Sequence, residues 1–328
     1  GVVEHIFNYI TGNLSDVTFE VYAEEDIKAA DGVSEDYYKA DELIATIKTD
    51  ETGIAKLENL PLGKYYVKEK GTAYGHVLDD EIRHVDLSYV DQNTPVVVYD
   101  EDWQNNRQRV EVNVLKKEKD TDRTLEGAVF GLYAKEDIKS ETTGKVLIEA
   151  DEIIELKSTD QDGKITFAAD LPVGASYYIK ELYAPDGFVT NDEVKEFTFD
   201  YAGEDQPTVT FDFEFENQPT VVEFTKSSLT TGKELPGCKL KVVDAEGNVV
   251  DEWTSGKEAH VIRELTVGKE YTLVETKPAD GYVTAESVKF TIEDTADIQK
   301  VEMKDDVTKL EISKQDIAGK ELPGAKLT

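Results

Sequence analysis

Two lysines in this chain stand where a positive charge is hard to place. Lys116 lies nine residues before Leu125, and Lys226 nine residues before Leu235. Successive side chains of a β-strand point to opposite faces, so Val112, Val114 and Lys116 share one face, as do Val222, Phe224 and Lys226. Each lysine therefore ends an apolar, core-facing row, where a lone ammonium is costly. Glutamates follow the same pattern: Tyr177, Ile179 and Glu181 share a face, as do Tyr271, Leu273 and Glu275. Two later segments end alike, with Phe211, Phe213, Phe215 and Asn217 on one face and Val301, Met303 and Asp305 on another. Taken singly, each polar residue reads as a strand-end side chain bending back to water, because Lys and Glu are rarely fully buried. An amine, an acid and a carboxamide or carboxyl on inward rows, found together twice, argue against that reading.

The elements that must hold these residues are strands. Segments such as 17–22 (VTFEVY) and 211–216 (FDFEFE) alternate with period two. Turn signals separate them, among them Asp162-Gly163, Gly247-Asn248 and Asp280-Gly281. Long stretches of helical period are missing, although residues 25–27 and 136–138 (EDI in both) each read as a short helical turn. Many short strands with regular turns predict an all-β chain of β-sandwiches.

The chain also repeats itself. Residues 14–27 (LSDVTFEVYAEEDI) match 125–138 (LEGAVFGLYAKEDI); a third copy opens at 235–240 (LPGCKL) and a fourth at 322–327 (LPGAKL). A second motif recurs as 63–69 (GKYYVKE), 174–181 (GASYYIKE) and 268–275 (GKEYTLVE). The repeats predict domains at 1–108, 109–218 and 219–306, with 307–328 opening a truncated fourth. Linkers are nearly absent, so neighbouring sandwiches are expected to abut as a rod, and the partners of this stretch are expected to be further repeats of the same longer chain.

Residues 269–282 (KEYTLVETKPADGY) resemble the glutamate-containing motif of collagen-adhesin B-type (Cna B-type) domains, and 181–188 (ELYAPDGF) is similar. Such domains have a prealbumin-like, Ig-like sandwich fold and resemble the repeats of SpaA-type pilins and other Gram-positive surface proteins. The resemblance covers the second and third domains in full and the first in part. It implies an intramolecular amide between the lysine and the Asn or Asp, promoted by the glutamate: Lys116 with Asn217 assisted by Glu181, and Lys226 with Asp305 assisted by Glu275. The physical logic agrees. Burial lowers a lysine pKa and raises that of a neighbouring glutamate. A protonated glutamate can polarise the acceptor carbonyl and pass protons to the leaving ammonia or water. Folding itself supplies the proximity, so each domain reacts once and nothing turns over.

The first domain departs from the pattern. Nine residues before Leu14 stands His5, and no lysine precedes Lys28. Glu69 is in register, and Asn105 or Asn106 lies near the acceptor position, but the motif at 69–76 (EKGTAYGH) lacks its proline. This domain is expected to share the fold without the cross-link. Lys314 matches the lysine of the truncated fourth domain.

Other chemistry finds little support. Cys238 is the only cysteine, so no intrachain disulfide forms, and it occupies the position of Ala128 and Ala325, a small core residue. The histidines at 5, 76, 84 and 260 show no metal spacing. Residues 160–163 (DQDG) carry only part of a calcium-loop pattern and read as a hairpin turn. No metal or other cofactor is expected. The ELPG at 234–237 and 321–324 is not the LPxTG of a sortase signal, and no pilin-polymerisation motif is visible. A net charge of -34, from 70 Asp and Glu against 36 Lys and Arg, repels nucleic acid and anionic membranes. No run of 18 apolar residues exists to cross a membrane.

The resemblance thus implies a monomeric structural stalk or spacer of an adhesin or pilin-like protein at the bacterial cell surface, outside the cell and on the wall. The alternative is a ligand-binding adhesin region for host matrix protein or glycan. Its best surface would be the insertions at 28–48 and 139–157, which have no counterpart in the third domain. Trp103 and Trp253 are too few and too separated to form a sugar-stacking platform. Nothing assembles a nucleophile, base and pocket for an enzyme.

Overall fold

A computed structural model of the 328-residue chain describes residues 4–93, 97–98, 100–315, 317–319, 323–324 and 326. Among the described residues all regular structure is β-strand, and no helix is long and apolar enough to cross a membrane. The chain divides into two compact units. One holds Gly1–Lys116, Ala128–Leu182 and Asp192–Phe215; the other holds Lys117–Gly127, Tyr183–Asn191 and Glu216–Thr328.

In the first unit, β1 (Thr18–Ala23), β2 (Leu43–Lys48), β3 (Lys64–Gly71) and β4 (Arg83–Asp86) form a four-stranded antiparallel sheet in the order β2-β1-β3-β4. Val21, Ala23, Ile27, Tyr65 and Val85 form its small core. The next repeat opens with β5 (Arg109–Glu118), β6 (Val129–Ala134), the short hairpin β7 (Ile138–Lys139) and β8 (Val146–Ile148), and β9 (Ile153–Ser158). It closes with β10 (Lys164–Thr166), β11 (Ser176–Tyr183), β12 (Val194–Thr198) and β13 (Thr208–Asn217). Here two sheets form, β12-β11-β6-β9 and β10-β5-β13. They enclose a core of 20 residues including Phe130, Tyr177, Phe199 and Phe215. That is the arrangement expected when alternating strands bury one face of each sheet.

The second unit carries the third repeat: β14 (Val221–Ser228), β15 (Lys239–Asp244), β16 (Val249–Thr254), β17 (His260–Arg263), β18 (Glu270–Lys277), β19 (Val288–Thr291) and β20 (Gln299–Asp305). Its sheets run β16-β15-β18-β19 and β17-β14-β20. The pair β14 and β20 is parallel, with Phe224 opposite Val301 and Ser228 opposite Asp305. Parallel neighbours need a long crossover, and here almost the whole repeat serves as that crossover.

Two local expectations change. Residues 25–27 and 136–138 are not helical: each bends and enters a β contact, Ile27 with Tyr38 and Ile138 with Ile148. Each apolar isoleucine is drawn into its core, at 1% and 3% exposure. The insertions are also shorter than the sequence implied. Residues 43–48 and 153–158 are sheet-edge strands occupying the place that Val249–Thr254 fills in the third repeat. The extra chain is the loop before each of them.

A backbone-to-hydroxyl bond marks each repeat. The N–H groups of Val17, Ala128 and Cys238 donate to the hydroxyls of Thr49, Thr159 and Ser255 at 2.9, 3.0 and 2.9 Å. Each ties the start of a repeat to its neighbouring edge strand and satisfies a buried donor that β pairing leaves over. In the turn after Glu181, Gly187 has φ +86° and packs so closely that a Cβ would sit 2.6 Å from the Glu264 carbonyl oxygen. Only glycine meets both demands.

Candidate functional site

Alternation along each strand places the inward residues as the sequence spacing requires. On β14 Val222, Phe224 and Lys226 alternate as buried positions before buried Ser227 and Ser228, on β18 the buried positions are Tyr271, Leu273 and Glu275, and on β20 Val301, Met303 and Asp305. The three polar side chains converge. Lys226 Nζ lies 2.9 Å from Glu275 Oε1 and also donates to Asp305 Oδ1. The side-chain exposures of Lys226, Glu275 and Asp305 are 2%, 0% and 0%. Glu275 Oε2 accepts the Ala285 N–H at 2.8 Å, which fixes the carboxylate.

Two carboxyls and one ammonium in a dry core cannot all keep their ordinary states. Burial pushes the Asp305 carboxyl up, and neighbouring Glu275 adds to that against the pull of Lys226. Burial pushes Glu275 up as well, but the Ala285 N–H and the bond from Lys226 outweigh it and hold this carboxyl below its ordinary value. The sequence expectation of a raised glutamate is thus corrected here: in this pair it is the Asp305 carboxyl that is pushed up, and the Glu275 carboxyl that is held down.

In the second repeat the same alternation buries Lys116, Glu181 and Asn217 at 0%, 5% and 1% exposure. Lys116 Nζ lies 3.1 Å from Glu181 Oε1 and over the rings of Phe130 and Phe215 at 5.6 and 5.9 Å. Asn217 ends β13, which is hydrogen-bonded to β5, the strand that carries Lys116. Its Nδ2 donates to Val189 O at 2.7 Å, which fixes the amide orientation.

The first repeat holds part of the set. Glu69 is 5% exposed on β3 and accepts the Asp79 N–H at 2.6 Å. Asn105 Nδ2 donates to both Glu69 oxygens, at 2.9 and 2.7 Å, and to Val77 O at 3.0 Å. This settles the choice between Asn105 and Asn106. His5 is elsewhere: its N–H donates to Ile154 O of the second repeat at 2.6 Å, and Phe7 joins that repeat's core. The apolar Phe7 draws residues 4–7 onto the second repeat and away from Glu69. Lys314 is exposed, and Leu322 lies outside the described residues.

Sequence reasoning missed two features. Cys238 Sγ lies 3.7 Å from Asp305 Oδ2, so with Glu275 it closes a buried Cys-Glu-Asp cluster. Burial pushes its thiol up. Its alignment with Ala128 marked it as core, but only folding brings the strand end to it. Glu155, 2% exposed on β9, accepts the Ala168 N–H with both oxygens at 2.9 Å. Its place in an alternating strand beside Ile154 gave no sign of burial.

The model of the SpaA prealbumin-like fold domain matches three segments, residues 9–102, 110–214 and 220–307. The chain belongs to this family. Among solved structures, the Bacillus anthracis TIE protein is similar over 90% of this chain at 24% identity, with a TM-score of 0.54. The SpaA-family chain spans 48% of that protein's length. BcpA, the major pilin subunit of Bacillus cereus, is similar over 90% of this chain and 95% of its own at 15% identity, with a TM-score of 0.41. The shaft pilin SpaA of Lactobacillus rhamnosus GG is similar over 62% of this chain and 99% of its own at 15% identity, with a TM-score of 0.26. A comparison with curated proteins gave no match.

Proposed function

We propose that this stretch is a structural stalk of a bacterial cell-surface protein, whose second and third repeats are closed by self-formed amide bonds, Lys116 to Asn217 and Lys226 to Asp305. The observation that carries the reading is the dry convergence of Lys226, Glu275 and Asp305. As an ion cluster alone it is a poor source of stability, because desolvating the charges offsets their attraction. As a set of reactants each group has a task. Glu275 takes a proton from the Lys226 ammonium. The freed amine attacks Cγ of the protonated Asp305, the C–Oδ bond breaks, and the departing hydroxyl leaves as water with the proton that Glu275 carried, while Glu275 takes up the second proton that the nitrogen sheds as it becomes an amide. In the second repeat Glu181 does the same between Lys116 and Asn217, and the C–Nδ2 bond breaks to release ammonia.

Each amide joins the first strand of a repeat to its last. Tension entering along β14 would pass through the side chains to β20 and leave the intervening core unloaded. The loops closed are 80 to 100 residues long, for which the chain-entropy account gives about 4–5 kcal/mol each. No reductant cleaves such a bond, which suits a family member with a single cysteine and an extracellular, wall-associated place.

The test is the intact mass of the folded protein. Loss of about 17 Da for ammonia and about 18 Da for water is expected, giving a total deficit of about 35 Da. Lys116→Ala and Lys226→Ala should each remove one loss. A mass equal to that of the sequence would reduce the lysines to buried ion-pair partners and remove the mechanical role.

A further inference from the structure

The two oxygens of Asp305 have different surroundings. Oδ1 accepts from the Lys226 ammonium, whereas Oδ2 accepts from the Cys238 thiol at 3.7 Å. The cysteine is held from behind: its N–H donates to the Ser255 hydroxyl at 2.9 Å, and that hydroxyl donates to Leu235 O at 2.6 Å. Cys238 and Asp305 are both 0% exposed, so bulk water does not reach the contact. The sulfur, a Glu275 oxygen and an Asp305 oxygen lie within 4.8 Å of one another. The Lys226 ammonium supplies the positive charge that a metal ion would bring to such a set. Burial pushes the thiol up, so it stays protonated at ordinary pH and serves as a donor, weaker than a hydroxyl.

The second repeat is built differently at the same two places. Its acceptor is Asn217, whose Nδ2 donates to Val189 O at 2.7 Å, and buried Ala128 stands at the Cys238 position. A carboxyl lacks the N–H of an amide and leaves in its place an oxygen that needs a donor. The change from Asn217 to Asp305 and the change from Ala128 to Cys238 are therefore chemically matched.

We propose that Cys238 is a catalytic residue of the third repeat, its S–H holding Asp305 Oδ2 and stabilising the negative charge that gathers there as the lysine attacks. This rests on the amide-forming reaction proposed above and adds which oxygen stays and which leaves. The Lys226 amine, freed by Glu275, adds to Cγ of Asp305. The electron pair of the C=Oδ2 bond moves onto Oδ2, where the thiol donates to it without giving up its proton. The carbonyl then re-forms, the C–Oδ1 bond breaks, and Oδ1 leaves as water with its own proton and the one that Glu275 carried. Glu275 takes up the proton shed by the nitrogen, and Oδ2 remains as the amide oxygen. A donor already fixed in a dry core stabilises such a charge without reorganising.

The test is the rate of bond formation. The full chain, purified unfolded in urea, is refolded by dilution, quenched in acid at intervals and weighed. The loss of about 18 Da reports the third repeat, and that of about 17 Da reports the second as an internal clock. Cys238→Ala is expected to reach the same final mass but to lose its 18 Da roughly tenfold more slowly, a strong oxyanion donor being worth about a hundredfold or more. Cys238→Ser, which restores a donor, should match or exceed the natural rate, and neither variant should change the 17 Da clock. The pair can also be moved. Asn217→Asp makes the second repeat lose about 18 Da, and adding Ala128→Cys should speed that loss roughly tenfold, a gain that a merely space-filling sulfur would not give. A natural rate in Cys238→Ala would overturn the proposal, as would Cys238→Ser as slow as Cys238→Ala, or no gain from Ala128→Cys. A natural chain that never loses 18 Da would instead sink the cross-link itself, an outcome read from the final mass and not from the rate.

Discussion

Lys226 Nζ sits 2.9 Å from Glu275 Oε1, and the equivalent Lys116 Nζ sits 3.1 Å from Glu181 Oε1. Two repeats of different sequence thus hold the same amine against the same acid in the same dry setting. If the glutamate carries the proton, removing it should stop one bond and spare the other. Glu275→Gln is expected to abolish the loss of about 18 Da and keep that of about 17 Da, with Glu181→Gln giving the opposite spectrum. Each variant should lower the melting temperature of its own repeat only, by the loss of about 4–5 kcal/mol of loop constraint. Calorimetry with two resolved transitions would read this.

Cys238 gives a reporter beside the reaction. It has 0% exposure and burial holds its thiol up, so a thiol reagent should label it only when the third repeat opens. Labelling in moderate urea is expected to be slower in the natural chain than in Asp305→Ala by at least an order of magnitude, as a closed loop of this size implies. Equal rates would mean that Asp305 does not close the repeat. Cys238→Ala, which copies Ala128, should retain the mass loss.

Glu155 predicts a pH dependence with a definite sign. Burial raises its pKa against the opposing N–H bonds of Ala168 and Ala169. A carboxyl raised in the folded state contributes stability that is full below its unfolded pKa and is lost as pH rises through the folded value. The melting temperature of the second repeat should therefore fall from the ordinary glutamate range towards neutral pH. Glu155→Gln should flatten that fall without lowering the neutral value. A variant with the natural slope would place the dependence elsewhere.

Phe7 tests the seat of the amino-terminal segment. Its side chain is 7% exposed within the second repeat's core. Phe7→Ala should cost that repeat about 3 kcal/mol, the scale of a truncated core aromatic. A loss confined to the first repeat would show that residues 4–9 belong to the sheet from which they are absent here.

The alternating rows of Val112 to Lys116 and Tyr271 to Glu275 were legible because a strand under a core has a period of two and nothing else competes with it. The same rule carried Asn217 and Asp305, since each simply extends an apolar row by one step. Where local pattern met a tertiary choice, the sequence was silent. Residues 4–7 alternate as readily on one repeat as on the next, and only the fold shows that Phe7 joins the second repeat's core. The turns at 25–27 and 136–138 looked helical because three residues carry too little period to tell; burial of Ile27 and Ile138 decides them. Which of the two facing carboxyls is pushed up and which is held down depends on partners such as the Ala285 N–H and the Lys226 ammonium that only folding brings together, and no spacing encodes it.

The parallel seating of β14 against β20 has one more consequence. The chain enters the third repeat at one end of the pair and leaves at the other, and Lys226 and Asp305 lie towards the exit. With an amide there, the 78 residues from 227 to 304 drop out of the extensible contour. At about 3.3 Å per residue that is roughly 260 Å of slack that stretching never releases. Such a repeat keeps its length under load and passes on each jerk undamped, so any yielding must happen in a neighbour without the bond.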